Sequence, residues 1–204
     1  MTKIAIHQPN YLPWFGFFAK ISVADIFVFL DDVAFSKGSY INRVQFLHGA
    51  QQRWLTVPVL HKKGSLINET LPSSETWRYD HINSLTNWYR KSTRFSEVME
   101  EFGEMLFSAS AKNNLAELNK LLIIKLADRL GIHCRFVSSS ELSITAMGTE
   151  RLIEIVKKID AKGQYLSGQG GIKYQDPHKF SEARIDLKYL DFKHPVYSQS
   201  TEDF

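Results

Sequence analysis

A single cysteine in 204 residues leaves this chain without an internal disulfide, so its core alone must hold the fold, and a reducing cytoplasm is the expected setting. That residue, Cys134, lies in Gly131-Ile132-His133-Cys134-Arg135-Phe136-Val137, which reads as the entry to a buried strand, where a free thiol is a packing residue. No apolar run approaches the roughly 18 residues that span a bilayer, and the first residues lack a basic region leading into an apolar segment and a cleavage site. Membrane insertion is not expected, and the localisation expected is cytoplasmic. Charge of one sign is also lacking. Twenty-five basic against 22 acidic residues leave a net +3, too small and too evenly spread to signal a nucleic-acid partner, while anionic small molecules stay compatible. No His-x-x-x-His or Cys-x-x-Cys spacing offers a metal-ligand set, so no residue is assigned to a metal. Walker A and Gly-x-Gly-x-x-Gly fingerprints are missing too, as are internal repeats and any arrangement that would activate a nucleophile.

What is present begins at once. Ile4 and Ile6 after Lys3 mark a first strand, and Pro9 and Pro13 forbid its continuation, so a helix can begin only at about Trp14. The run Ile26 to Leu30 has the unbroken apolar pattern of a strand covered on both faces, and a strand, helix, strand unit of this length implies a right-handed parallel crossover. Arg43 to Leu47 and Arg53 to Val59, around His48-Gly49, predict a hairpin at one sheet edge. Helices are predicted from Ser74 or Glu75 as a cap, from about Phe95 to Phe107, and from Leu115 to Leu130 with Gly131 as the stop. Cys134 to Val137, Gln164 to Leu166 and Ile185 to Phe192 read as further strands, with a helix capped at Thr149 among them. Length and pattern together predict one α/β domain over 1–204. Its three layers would enclose a mainly parallel sheet, with a mainly helical insertion at about 75–131.

Ligands of open α/β sheets bind beyond the carboxyl ends of the strands, so the polar residues placed there are the candidate site. His7, Gln8 and Asn10 form a dense polar turn after the first strand. His7 could stabilise charge near pH 7 in either protonation state, or could simply fix the turn through backbone hydrogen bonds. Asp31 and Asp32 end the second strand and could orient a hydroxyl, an amine or a magnesium ion, or be plain loop acids. Asn42 and Arg43, with Lys37 ahead of them, could clamp a phosphate or carboxylate. Ser167-Gly168-Gln169-Gly170-Gly171 with Lys173 follows a strand, and its glycines let backbone N–H groups approach an anion. His81 lies on an aromatic helix stripe with Trp77 and Leu85 and reads as a packed residue; His194-Pro195 and Tyr197 could line the same cleft or dock the tail. The candidate catalytic residues are thus His7, Asp31 and Arg43. The candidate substrate- or phosphate-binding residues are Gln8, Asn10, Asp32, Lys37, Asn42, Ser167, Gly168, Gly170, Gly171 and Lys173.

Several of these segments carry a family pattern. His7-Gln8-Pro9-Asn10-Tyr11-Leu12-Pro13-Trp14-Phe15-Gly16, Asp31-Asp32-Val33 with Phe35-Ser36, and Tyr40 with Asn42-Arg43 resemble the WbqC-like family, as do Trp54-Leu55-Thr56-Val57-Pro58-Val59 and Tyr165-Leu166-Ser167-Gly168. The resemblance spans nearly the whole chain. It implies a role in bacterial surface-polysaccharide (O-antigen, lipopolysaccharide) biosynthesis. It also implies a further apolar helix beyond His194-Pro195-Val196-Tyr197 and Phe204, which this chain would lack. A more distant likeness is to nucleotidyltransferases with a histidine turn between first strand and first helix, as in pantothenate synthetase-like enzymes; their His-x-Gly-His is here reduced to His7, with Gly16 much later.

The expectation is therefore a soluble transferase or ligase acting on a phosphate-bearing, nucleotide-linked sugar or an activated acyl or aminoacyl substrate. The alternative is a non-catalytic protein that binds a nucleotide sugar or a partner enzyme of the same pathway. The cofactor is open, ATP or another nucleotide with Mg2+ being compatible, and the expected partner is a small phosphate-bearing molecule. The oligomeric state is open as well.

Overall fold

A computed structural model describes residues 1–49, 51–109 and 113–197; Phe204 of the family pattern lies outside them. The strands in chain order are β1 (Lys3–His7), β2 (Ile26–Phe29), β3 (Arg43–His48), β4 (Gln51–Thr56), β5 (Val59–Leu60), β6 (Leu71–Pro72), β7 (Arg135–Ser138), β8 (Gln164–Gly168) and β9 (Asp186–Leu190). The α-helices are α1 (Phe15–Ser22), α2 (Trp77–Tyr89), α3 (Phe95–Phe107), α4 (Leu115–Arg129), α5 (Gly148–Ile159) and α6 (Pro177–Glu182). The chain divides into two compact units. The first comprises Met1–Pro9, Trp14–Val33 and Ala127–His194; the second comprises Asn10–Pro13, Ala34–Leu126 and the described residues from 195 onward.

The first unit is a three-layer α/β arrangement around a five-stranded sheet of order β7-β2-β1-β8-β9, in which every pairing is parallel. Residues of β1 alternate between the two faces. Ile4 and Ile6 join Ile26, Val28 and Tyr165 in a buried cluster with Leu152, Ile153, Ile155 and Val156 of α5 and Phe180 of α6. Ala5 and His7 point the other way, where Phe17 of α1 meets Phe27 at 5.3 Å between ring centres and Phe27 meets Phe29 at 5.3 Å. Each such fully buried side chain stabilises the fold by about 1.5–3 kcal/mol relative to exposure. Gly163 allows α5 to approach β1, since a Cβ there would stand 2.8 Å from Ile4 Cδ1 and 3.3 Å from Val156 Cγ1.

Counted along this unit, the strands run 3-2-1-4-5. The chain winds outward from β1 through β2 to β7, then crosses back to β8 on the other side of β1. The point where winding reverses lies between β1 and β8, and the crevice beyond their carboxyl ends is where open α/β sheets take ligands.

The second unit holds two small antiparallel ribbons, β3 with β4 and β5 with β6, and the helices α2, α3 and most of α4. The hairpin around His48-Gly49 thus forms as expected but as its own two-stranded sheet, not at the edge of the parallel one. The cap of α2 is Thr76, one or two residues later than Ser74 or Glu75, and no side chain caps it. Thr149 lies inside α5, whose N-cap is Met147, because its hydroxyl is taken up by the Asp176 N–H at 3.1 Å.

Candidate functional site at the β1–β8 switch point

His7 ends β1 and is half-buried, its ring edge-on to Phe17 at 4.9 Å and to Trp14 at 6.1 Å. Its Nδ1 lies 2.9 Å from the Gln8 carbonyl. A carbonyl can only accept, so Nδ1 carries the proton and donates, leaving Nε2 as an open lone pair with no partner among the described residues. Burial, followed by the nearby Lys20 charge, pushes the His7 pKa down to about 3 against the raising effect of the Gln8 bond. His7 is therefore neutral at pH 7. The expectation that both protonation states are accessible there is corrected: the ring is neutral, and its Nε2 can accept a hydrogen bond.

Lys20, which sequence reading passed over, is buried on α1 at 6% exposure. Its Nζ donates to the Ile6 carbonyl at 3.3 Å and stands 5.9 Å from the centre of the Phe27 ring. Burial lowers its pKa to about 7. The signal was available: a lysine three residues after Phe17, on a helix whose other positions from Phe15 to Ile21 are apolar or glycine, shares the buried stripe. Gly16 of the same helix is fixed by packing, since a Cβ there would stand 2.9 Å from both Phe192 Cδ1 and Trp14 Nε1.

Two residues beyond the last β1–β8 pair, Ala5↔Leu166, stand His7 and Gly168. Gly168 leads β8 into a 3-10 turn, Gln169–Lys173, so backbone N–H groups gather just past the strand. An added Cβ would meet nothing within 4 Å at Gly168 or Gly170, which face open space. Gly171 differs: a Cβ would collide with Ser167 Oγ and stand 2.7 Å from both Gln175 amide atoms. Gln175 Nε2 donates to Tyr165 Oη at 3.1 Å, while Gln175 Oε1 and the Tyr189 hydroxyl are buried without partners among the described residues. Lys173 is exposed at the end of the turn, and Gln8 is half-buried beside His7.

Asp31 and Asp32 end up on the β2–β7 side of the same rim. Asp31 is buried and accepts from the Ser140 N–H at 3.0 Å, the Ser140 hydroxyl at 3.0 Å and the Ser139 hydroxyl at 3.3 Å. Asp32 pairs with Arg151 of α5 at 2.5 Å and also accepts from Ser139. This latch ties the end of β2 to the segment after β7, so these carboxylates carry structural load whatever else they touch. Cys134 is half-buried, and burial pushes its thiol up to about 11, which leaves it unreactive at neutral pH. It lines an open depression of about 750 Å³ with Lys3, Asp25 and Arg135, at the amino-terminal rim and away from His7.

Asn10, Lys37, Asn42 and Arg43 belong to the second unit. Asn10 is buried and Lys37 exposed. Asn42 Nδ2 donates to the Val57 carbonyl at 3.0 Å, and its Oδ1 is buried without a partner among the described residues. The Arg43 guanidinium donates to the Gly38 carbonyl and lies 4.1 Å from the Trp54 ring centre, with Tyr40 at 5.7 Å from Trp54 and both rings exposed. His81 is packed as expected: the Tyr11 hydroxyl donates to Nδ1 at 2.9 Å, and Nε2 donates to the Thr56 carbonyl at 3.2 Å.

No solved structure matches this chain. It is 30% identical over 197 residues to the uncharacterized protein Rv1507c of Mycobacterium tuberculosis H37Rv, covering 94% of this chain and 83% of that protein. Residues 8–204 match the WbqC-like protein family. The histidine-led turn that closes β1, the acidic latch after β2 and the glycine turn after β8 are all features of a chain that belongs to the WbqC-like protein family.

Proposed function

We propose that the β1–β8 crevice binds the phosphate of a nucleotide-linked sugar or an activated acyl or aminoacyl substrate. On this reading the protein is a cytoplasmic transferase or ligase of bacterial surface-polysaccharide biosynthesis. One observation carries the proposal: the open lone pair of a neutral His7 and the open glycine turn at 168–170 end two adjacent strands at the switch point of the sheet. The glycine turn would hold phosphate oxygens through backbone N–H groups, with Lys173 adding a charge at its end and Gln8 a side-chain amide. A sugar amine or hydroxyl, oriented by a hydrogen bond to His7 Nε2, attacks the activated carbonyl and passes its proton to the phosphate-bearing group as that group leaves. Catalysis of this kind rests on positioning. Asp31 and Asp32 hold the rim in shape. ATP or another nucleotide, with Mg2+, is the donor class that would suit such a transfer. In the second unit, Arg43 with Asn42 and Lys37 is proposed to recognise an anionic group beside the exposed Tyr40 and Trp54 rings.

A thermal-shift series with ATP, UDP and nucleotide sugars, followed by turnover with the ligand that stabilises most, tests the reading. His7→Ala should keep ligand binding while turnover falls at least about 100-fold, as loss of a positioning contact at the reacting centre can cost. Turnover unchanged in His7→Ala would remove the role of His7, and nucleotide-sugar binding without any turnover in the wild-type protein would point to the non-catalytic alternative. No stabilisation by any nucleotide or sugar phosphate would remove the proposal altogether.

A further inference from the structure

Lys20 is a positive charge folded into an apolar wall. Its ammonium has three donors, and a single carbonyl 3.3 Å away takes one of them. Among the described residues no carboxylate meets it. Asp25 accepts from the Lys3 N–H, Asp31 is held by Ser139 and Ser140, and Asp32 by Arg151 and Ser139. The groups that face it are His7 and the Ile6 carbonyl from β1, and the Phe27 ring from β2; the rest of its own helix from Phe15 to Ile21 carries no titratable group. A buried charge without a counter-ion is costly, and proteins keep such groups where a ligand completes them.

Where that charge sits follows from the strand geometry. Along a strand, successive carbonyls point to opposite neighbours. The carbonyls of Lys3 and His7 accept from Asp25 and Leu30 on the β2 side, and that of Thr2 accepts from Gln164 on the β8 side. Ile6, in step with Thr2, therefore aims its carbonyl at β8. The β1–β8 ladder ends at Ala5↔Leu166, and Lys20 takes the Ile6 carbonyl instead. Its Nζ thus stands at the gap where the two strands part, level with the start of the glycine turn.

We propose that Lys20 is a phosphate-binding residue, whose ammonium meets the ligand's phosphate in the β1–β8 gap while the glycine turn holds the same group from the β8 side. The proposal rests on the phosphate-site reading given under Proposed function, and it adds the cation that reading lacks. Because the buried amine is held close to neutrality, anion binding draws a proton onto it, so binding is coupled to pH. His7, itself neutral, does not compete for that proton.

The test uses the full chain with UDP as probe, by calorimetry at pH 8 in two buffers of different ionisation enthalpy. The wild-type protein should bind UDP with proton uptake. Lys20→Met should bind at least about tenfold more weakly, with the uptake gone and the melting temperature of the free protein equal or higher. Equal affinity and uptake in Lys20→Met would overturn the role of Lys20 and leave the phosphate site standing. Absence of wild-type binding to UDP and to pyrophosphate would overturn both. Should Lys20→Met fail to fold, the wild-type affinity for UDP from pH 6.5 to 9 decides alone: it should weaken several-fold as pH rises, and a flat profile would refute the proposal.

Discussion

The three glycines after β8 separate packing from binding, because the structure gives each a different environment. At Gly171 an added methyl meets Ser167 Oγ and both amide atoms of Gln175, the latter at 2.7 Å, and Gln175 is buried and tied to Tyr165. Neither neighbour can retreat without breaking that contact, so Gly171→Ala should cost about 1–3 kcal/mol, the usual range for overpacking. In a chain of this length, each kcal/mol lowers the melting temperature by about 2–4 °C. Gly168 and Gly170 have room for a methyl and neither adopts a positive φ, so alanine there should be neutral or stabilise by about 0.4–1 kcal/mol through the unfolded chain. The same methyls would stand between the backbone N–H groups and a bound phosphate. Affinity for the stabilising nucleotide should then fall about tenfold, or roughly 1.4 kcal/mol, in Gly168→Ala and Gly170→Ala. Melting curves and calorimetry on the three variants read both effects. Full affinity in Gly168→Ala and Gly170→Ala would refute the turn as a phosphate cradle, and an unshifted melting temperature in Gly171→Ala would refute the packing argument.

Two further outcomes follow from buried groups. Burial lowers the folded-state pKa of Lys20 from 10.5 to about 7, so between those values the unfolded chain binds the extra proton and stability rises with pH; Lys20→Met should lose that rise, amounting to a few kcal/mol. Melting temperatures of both proteins from pH 6.5 to 10 check it, and parallel curves would contradict the burial. Tyr11→Phe removes the donor that serves His81 Nδ1 and leaves a buried acceptor unmet, so it should destabilise by about 1–3 kcal/mol in urea titration; an unchanged midpoint would mean that the bond contributes nothing.

The parallel sheet was legible because its strands are short apolar runs closed by Pro9, by Asp31-Asp32 or by Gly168, and those closures are where the observed strands end or lie within three residues of their ends. The hairpin was legible from His48-Gly49, but not its separation from the main sheet, since a local turn carries no information about which strands lie beside it. Helix α6 went unread although Asp176-Pro177 is a strong start signal, with the Asp176 carboxylate accepting from the His178 N–H at 3.0 Å. Among the site residues, type and rough position could be read, whereas charge state could not. Burial decides that His7 is neutral, and burial is set by α1 packing back over β1. Lys20 could have been placed on the apolar stripe of α1, but its lowered pKa could not be read, because it depends on the fold closing over the amine.

His7 and Lys20 are better understood as one arrangement than as two residues. The apolar layer formed by Phe17 and Phe27 discourages charge on both, and the Lys20 charge makes a proton on His7 less favourable still. The two groups still keep their order, the imidazole far below neutrality and the amine close to it. A phosphate entering the gap would change only the second of these directly, by stabilising the ammonium. The first would stay neutral, because a newly charged Lys20 opposes a proton on His7. Environments that hold two titratable groups apart in this way let one carry charge while the other stays a neutral acceptor at the same pH. The division needs no carboxylate at the reacting centre, which agrees with Asp31 and Asp32 being spent on the serines and on Arg151. On the proposed reading the substrate brings its own negative charge: without it, the amine in the gap has nothing to make its protonation worthwhile.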